Sequence, residues 1–216
     1  VIERMHMSEI TICYGMTETA PVSAQSSTSD SVERRVGTVG RVHPHLEIKI
    51  VDENGKVVPR GKLGELCVRG YSVMLGYWED NDKTGEVIDV AKWMHTGDIA
   101  EMDDEGFVKI KGRIKDVVIR GGENLFPKEI EDFLYTHPDV SDVQVIGLPD
   151  ARYGEELCAC IILHDHHQAN EEEIRKYCAE HISHNKVPRY VRFFTEFPMT
   201  ASGKAQKFKL QEFMRQ

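Results

Sequence analysis

The chain has 216 residues, a net charge of −9 and a hydrophobic share of 40%, long enough for a packed core and too apolar for wholesale disorder. The acidic balance argues against a nucleic-acid coat, which needs a basic surface, and no run approaches the ~20 apolar residues of a membrane-spanning helix. The five cysteines, Cys13, Cys67, Cys158, Cys160 and Cys178, form no C-x-x-C pair and read as reduced, buried thiols rather than a zinc or redox framework. No basic-then-apolar leader opens the chain. It starts at Val1 and enters a strand-like run at residues 10–13, which reads as an internal start with any targeting segment lying elsewhere.

Residues 25–31 form a small-polar loop too short for a linker. From Gly37 to Gly112 the pattern is β. Residues 46–52 alternate, Asn54-Gly55 supplies a positive-φ pair for a tight hairpin turn, and residues 65–69 alternate again. Residues 107–111 follow a turn at Asp104-Glu105-Gly106. Short strands with frequent glycine predict a small barrel or a twisted antiparallel sheet.

After Gly112 the texture becomes α+β. Val117-Val118-Ile119 reads as a strand ending at Gly121-Gly122. Pro127 suits a first helical turn, and Ile130, Phe133 and Leu134 make an apolar stripe that His137-Pro138 stops. Residues 143–146 and 157–163 read as strands. Asn170 with Glu173 spells a capping box, and the inner face of that helix is Ile174, Tyr177, Cys178 and Ile182. A strand at 190–194 and a helix at 207–214 complete the series. The boundary falls near 113–116, dividing the chain into 1–112 and 113–216, and the second part is large enough to fold alone. Residues 186–216 hold seven Lys/Arg against two acidic residues, either a solvated face or one wall of a site for a phosphate-bearing ligand.

Four clusters carry candidate chemistry, and each alone also describes an ordinary turn or loop. Tyr14-Gly15-Met16-Thr17-Glu18 offers a flat ring, a hydroxyl and a hard oxygen ligand at one strand end, enough to stack a base, touch a phosphate and hold Mg²⁺. His95-Thr96-Gly97-Asp98 offers a carboxylate at a glycine turn, able to accept two hydrogen bonds from vicinal ribose hydroxyls. Around Gly112-Arg113-Ile114-Lys115-Asp116 and Arg120-Gly121-Gly122-Glu123-Asn124, Arg113 presents a rigid donor fork and the glycine pair lets backbone approach a ligand closely. Neither a P-loop nor a G-x-G-x-x-G pattern occurs. Finally, Thr200-Ala201-Ser202-Gly203-Lys204 lifts one lysine on a small-residue loop, flexible enough to carry a point charge into a cleft and out again. The His164-Asp165-His166-His167 run has no fixed-face ligand spacing and reads as a polar loop, and His181 and His184 read as surface residues.

In this order, with the change of texture at Arg113, the clusters resemble the C-terminal part of adenylate-forming (AMP-binding) enzymes: acyl-CoA synthetases, luciferases and peptide-synthetase adenylation domains. Tyr14 to Glu18 matches the aromatic-G-x-T-E segment, and Gly64-Glu65-Leu66-Cys67-Val68-Arg69-Gly70 with Gly76-Tyr77 matches G-E-L-x-x-R-G…G-Y. Thr96-Gly97-Asp98, Gly112 to Asp116 and Gly203-Lys204 complete the set. Gly121-Gly122-Glu123-Asn124 and Pro127-Lys128-Glu129-Ile130-Glu131 place the resemblance in the acyl-CoA synthetase branch, nearest to mitochondrial medium-chain ligases. The sequence departs from the pattern in three ways. The upstream Ser/Thr/Gly phosphate loop and most of the acyl pocket are missing. Lys207 stands where the pattern has Arg, and Ala91-Lys92-Trp93-Met94 replaces a Gly-Trp lead-in to His95.

The resemblance implies an α/β and α+β architecture. Residues 1–112 would be the C-terminal portion of the large AMP-binding domain with its small β-barrel-like subdomain, and 113–216 a compact α+β domain hinged near 113–116. It implies activation of a medium-chain fatty acid by ATP and Mg²⁺ to acyl-AMP, then transfer to coenzyme A, in the mitochondrial matrix. Tyr14 would stack on adenine, Thr17 contact the α-phosphate, and Glu18 ligate Mg²⁺. Asp98 would take the ribose with Arg113 nearby, and Lys204 would bridge carboxylate and phosphate oxygens. Lys115 would be the hinge, and Gly121 and Gly122 would line the pantetheine tunnel. Lacking the phosphate loop, the 216 residues alone are expected to be inactive. Two other readings stay open: a non-catalytic isoform that binds CoA or a partner, and an adenylation domain that uses a carrier-protein thiol.

Overall fold

The computed structural model describes residues 2–201 and 203–214. The chain divides into two compact units, Val1–Ile114 and Lys115–Gln216.

The first unit opens with a short helix α1 (Ile2–Met5) and a three-stranded antiparallel sheet of β1 (Cys13–Tyr14), β2 (Ala24–Gln25) and β3 (Arg41–Val42). Helix α2 (Val32–Gly37) interrupts it, capped by the Ser31 side chain. A four-stranded antiparallel sheet then runs in chain order through β4 (Leu46–Val51), β5 (Gly64–Gly70), β6 (Met94–Met102) and β7 (Val108–Arg113), with α3 (Asn81–Val87) between β5 and β6. The sheet is open, so of the two expectations the twisted antiparallel sheet holds and the barrel does not. Its small core is Ile50, Leu66, Ala100 and Val108. The turn after β4 also differs from expectation. Gly55 has φ 75° but Asn54 is not among the positive-φ residues. One left-handed residue suffices because Asp52 Oδ1 accepts the N–H groups of both Asn54 and Lys56.

The second unit is a five-stranded sheet in which β10 (Val140–Asp150), β11 (Gly154–Leu163), β8 (Val118–Arg120) and β9 (Glu123–Leu125) follow one another and β12 (Tyr190–Phe193) pairs with β11 in parallel. A parallel neighbour requires a crossover, and α5 (Glu171–His181) supplies it, capped reciprocally by Asn170 and Glu173. Alternation along β11 separates two cores. Leu157, Ala159 and Ile161 face α4 (Pro127–Leu134) and α5, where Ile130, Leu134, Ile174 and Cys178 are buried. Cys158 and Cys160 face the other way, with Ile146, Leu148, Phe197 and Leu210 of α6 (Lys207–Met214). Four cysteines are therefore buried and free, but Cys13 is exposed because β1 is a two-residue edge strand. Tyr177 stands half-exposed and stacks on Phe133 at 5.1 Å rather than entering the core. In the His164 loop, His167 Nδ1 lies 2.5 Å from Asp139 Oδ1, which makes it a strand-end clasp. No helix among the described residues is long and apolar enough to cross a membrane.

Candidate active site

Strand β1 ends at Tyr14, and the chain must then turn sharply under Pro21. A Cβ on Gly15 would sit 1.6 Å from the Pro21 carbonyl oxygen, so only glycine fits. The 3₁₀ turn Thr17–Thr19 follows, closed by the buried Thr19 hydroxyl against the Met16 backbone. Thr17 is left exposed and Glu18 half-buried. Glu18 Oε1 accepts the Tyr77 hydroxyl at 2.9 Å, and its carbonyl accepts the Met74 N–H at 2.8 Å. Burial, then the neighbouring carboxylate, raises the Tyr77 hydroxyl pKa, keeping it a donor.

Asp98 does not sit in a turn, as its Thr-Gly-Asp context suggests. It lies inside the nine-residue strand β6 beside a bulge between Ile99 and Ala100. Gly97, at φ 70°, distorts the strand. Glu65 Oε1 accepts the Gly97 N–H at 3.0 Å and Thr96 Oγ1 accepts the Asp98 N–H at 3.1 Å, while Thr96 donates to the Leu66 carbonyl. The nearly buried Asp98 carboxylate is held from two sides. Tyr14 donates its hydroxyl to Oδ2 at 2.5 Å, and Arg113 Nε lies 3.3 Å from Oδ1. Burial, then the hydrogen bond to Asp98, pushes the Tyr14 hydroxyl well above the usual phenol range, so it stays a donor at any physiological pH. Arg113 is the register partner of Asp98 on β7.

The structure thus brings Tyr14, Asp98 and Arg113 together and gives Glu18 a separate partner in Tyr77. Tyr77 and Glu65 were quoted above within motifs and given no role. The Gly-Glu and Gly-Tyr pairs marked them, but only the fold joins them to Glu18 and Gly97. Glu18 suits a hard cation: its recorded bond is to a neutral donor, leaving lone pairs for an ion whose other ligands come from phosphate and water.

In the second unit, Gly121 (φ 59°) and Gly122 (φ 86°) form the two-residue turn between β8 and β9, with Arg120 paired to Glu123, a type I′ geometry that needs both left-handed residues. The Gly121 N–H donates to the Tyr153 carbonyl at 2.8 Å, while a Cβ on Gly122 would meet nothing within 4 Å. Behind the turn, Arg120 makes a two-pronged pair with Glu156, at 2.7 and 3.0 Å. Lys204 is exposed on a tight turn rather than a slack loop. Its N–H donates to Thr200 Oγ1, and its carbonyl accepts the Thr200 N–H at 2.8 Å. Ser202 of that motif lies outside the described residues. Lys207 is anchored by Glu131 Oε1 at 2.6 Å and by the Val145 carbonyl. Lys115 opens the second unit within the 3₁₀ turn Ile114–Asp116.

Residues 1–78 match the family model of the AMP-binding enzyme, and residues 129–204 match that of the AMP-binding enzyme C-terminal domain. The chain belongs to the AMP-binding enzyme family. Among curated AMP-binding relatives, the mitochondrial medium-chain acyl-CoA ligase ACSF2 of Bos taurus is 52% identical over the whole of this chain and 35% of its own length. The putative acyl-CoA synthetase YngI of Bacillus subtilis is 54% identical over 98% of this chain and 39% of its own. The chain therefore spans little more than a third of the curated relatives it matches. Among solved structures, ATP-bound MatB from Rhodopseudomonas palustris is 34% identical with a TM-score of 0.87, covering 95% of this chain and 41% of that one. The o-succinylbenzoate CoA synthetase MenE of Bacillus subtilis, in complex with its acyl-adenylate, is 32% identical with a TM-score of 0.87, over 94% of this chain and 41% of that one.

Proposed function

We propose that this chain serves an AMP-forming acid–CoA ligase that activates a medium-chain fatty acid with ATP and passes the acyl group to the thiol of coenzyme A, in the mitochondrial matrix. The observation that carries the reading is Asp98, a nearly buried carboxylate oriented by Tyr14 and Arg113. Two donors fix its plane and leave lone pairs for vicinal ribose hydroxyls. The ring of Tyr14 stacks on adenine and Thr17 touches the α-phosphate. Glu18, steadied by Tyr77, holds Mg²⁺, which neutralises phosphate charge when bound. Lys204 bridges the attacking carboxylate and the α-phosphate, where two anions are pressed together and a positioned cation counts most. Gly121 and Gly122 line the path of pantetheine, and Lys115 is the hinge that separates the two steps. The family assignment and the identity to named acyl-CoA ligases support this reading over a carrier-protein acceptor.

The test is a chimera in which this chain replaces the matching segment of the Bos taurus ligase. Acid-dependent exchange of pyrophosphate into ATP reports adenylation, and consumption of supplied acyl-AMP with CoA reports thioester formation. Lys204→Ala should lose ~10²–10³ in exchange and little in thioester formation. Gly122→Asn, a residue that tolerates the left-handed backbone, should do the reverse. Equal slowing of both steps by both variants rejects the residue roles, and a chimera with no exchange at all rejects the ligase reading.

A further inference from the structure

Cys67 and His95 are register partners across β5 and β6, and Glu65 stands two residues before Cys67, on the same side of β5. His95 Nδ1 lies 2.7 Å from Glu65 Oε2 and 3.5 Å from the buried Cys67 Sγ. One ligand atom from each of the three lies within 4.8 Å of the others, and among the described residues this is the one such group of metal-ligating side chains. A tetrahedral ion with ligands at ~2.0–2.3 Å requires its donor atoms to stand roughly 3.5 Å apart. Small side-chain rotations reach that spacing from here.

We propose that Glu65, Cys67 and His95 form a binding site for a borderline divalent ion of the Zn²⁺ class, with water in the fourth position. The donor set decides the ion: a thiolate, an imidazole and one carboxylate oxygen suit Zn²⁺ and disfavour Mg²⁺ or Ca²⁺. The surroundings fit as well. His95 Nε2 points to Asp89 Oδ2 at 3.9 Å, the arrangement in which a ligating imidazole turns its remaining N–H toward a carboxylate. Glu65 can ligate through Oε2 alone, because Oε1 holds the Gly97 N–H. Binding exchanges the ion for protons. The Cys67 thiol proton leaves to solvent, and the ring proton shared with Glu65 moves from Nδ1 to Nε2, facing Asp89. Thiolate and carboxylate together then neutralise the ion. Lys49, the β4 register partner of Cys67, stands over the Trp93 ring at 4.5 Å. His95 lies three residues before Asp98, so an ion here stiffens the strand that carries the proposed ribose ligand.

Cobalt(II) is the probe, since it fills zinc sites and reports thiolate ligation by charge-transfer absorption. One equivalent added to the reduced, chelator-treated chain should give that band with tetrahedral d–d absorption, and Zn²⁺ should displace both. Cys67→Ser should abolish the charge-transfer band, and Cys13→Ser, at the exposed thiol, should leave it. Asp89→Asn should keep the band and weaken affinity by roughly 10–100-fold. No band in the unmodified chain overturns the proposal, as does a band that survives Cys67→Ser. Should Cys67→Ser fail to fold, His95→Gln decides on the same spectrum, and an unchanged tetrahedral signal there overturns it.

Discussion

Lys92 holds a φ of 64° in the turn where the Asp89 N–H donates to the Trp93 carbonyl and the Trp93 N–H donates to Asp89 Oδ1. A side chain in the left-handed region costs ~1–2 kcal/mol, and this is the place where the family pattern has glycine. Lys92→Gly is therefore expected to stabilise the chain by ~1 kcal/mol, less what the freer unfolded glycine takes back. A higher urea midpoint at unchanged slope checks this, and a lower midpoint rejects it. Buried acids set a second expectation. Burial raises the Cys178 thiol pKa from 9.0 to about 11. A raised folded pKa contributes stability that is complete below the unfolded value and lost as pH climbs through the folded one. Folding stability should fall between pH 9 and 11, with Tyr14, also raised, extending the loss above pH 10. Alkaline melting curves of the parent and Tyr14→Phe test this: the variant should lose less above pH 10. At this scale the sequence was partly readable. Tyr14, Asp98 and Arg113 are named by their motifs, but the Tyr14–Asp98 bond spans 84 positions, and no local pattern encodes such a partnership.

The elements divide by length and by strain. Helices α4 and α5 were legible because Pro127 and the Asn170–Glu173 box mark their starts and apolar stripes mark their inner faces. Helices α2 and α3, of six and seven residues, present too few turns for a stripe. Strand β6 was missed for a different reason: Gly97 and the bulge break its alternation, so the strand imitates a turn at the point where it presents Asp98. The Gly121-Gly122 hairpin depends on what lies behind it. Glu156 is 1% exposed and pairs with Arg120 through both carboxylate oxygens, with Arg189 at 3.7 Å from one of them. Arg120→Ala leaves that carboxylate buried with a single distant partner, and breaking a buried pair from one side costs about 3–5 kcal/mol. Chemical denaturation should register a loss of this size. A change within 0.5 kcal/mol, the scale of a surface substitution, would mean that solvent reaches Glu156.

At the scale of the whole chain, the two units are unlike in how they bury apolar surface. Residues 115–216 close two cores on the two faces of one sheet. The core of the first unit at Ile50, Leu66, Ala100 and Val108 is small, and Val32, Val36 and Val42 remain exposed. Residues 115–216 expressed alone should unfold in one cooperative transition, and limited proteolysis of the whole chain should leave a resistant C-terminal piece. A resistant N-terminal piece with a degraded C-terminal part would contradict this. The second core also sets an order of events during synthesis. Ile146, Leu148, Cys158 and Cys160 are in place on β10 and β11 well before Phe197 and Leu210, which cover them, are translated. That face stays wet until α6 arrives, so the second unit can complete itself only after residue 214 has been translated. Without α6 the Cys158 and Cys160 face of the sheet would be left open to water and prone to aggregate.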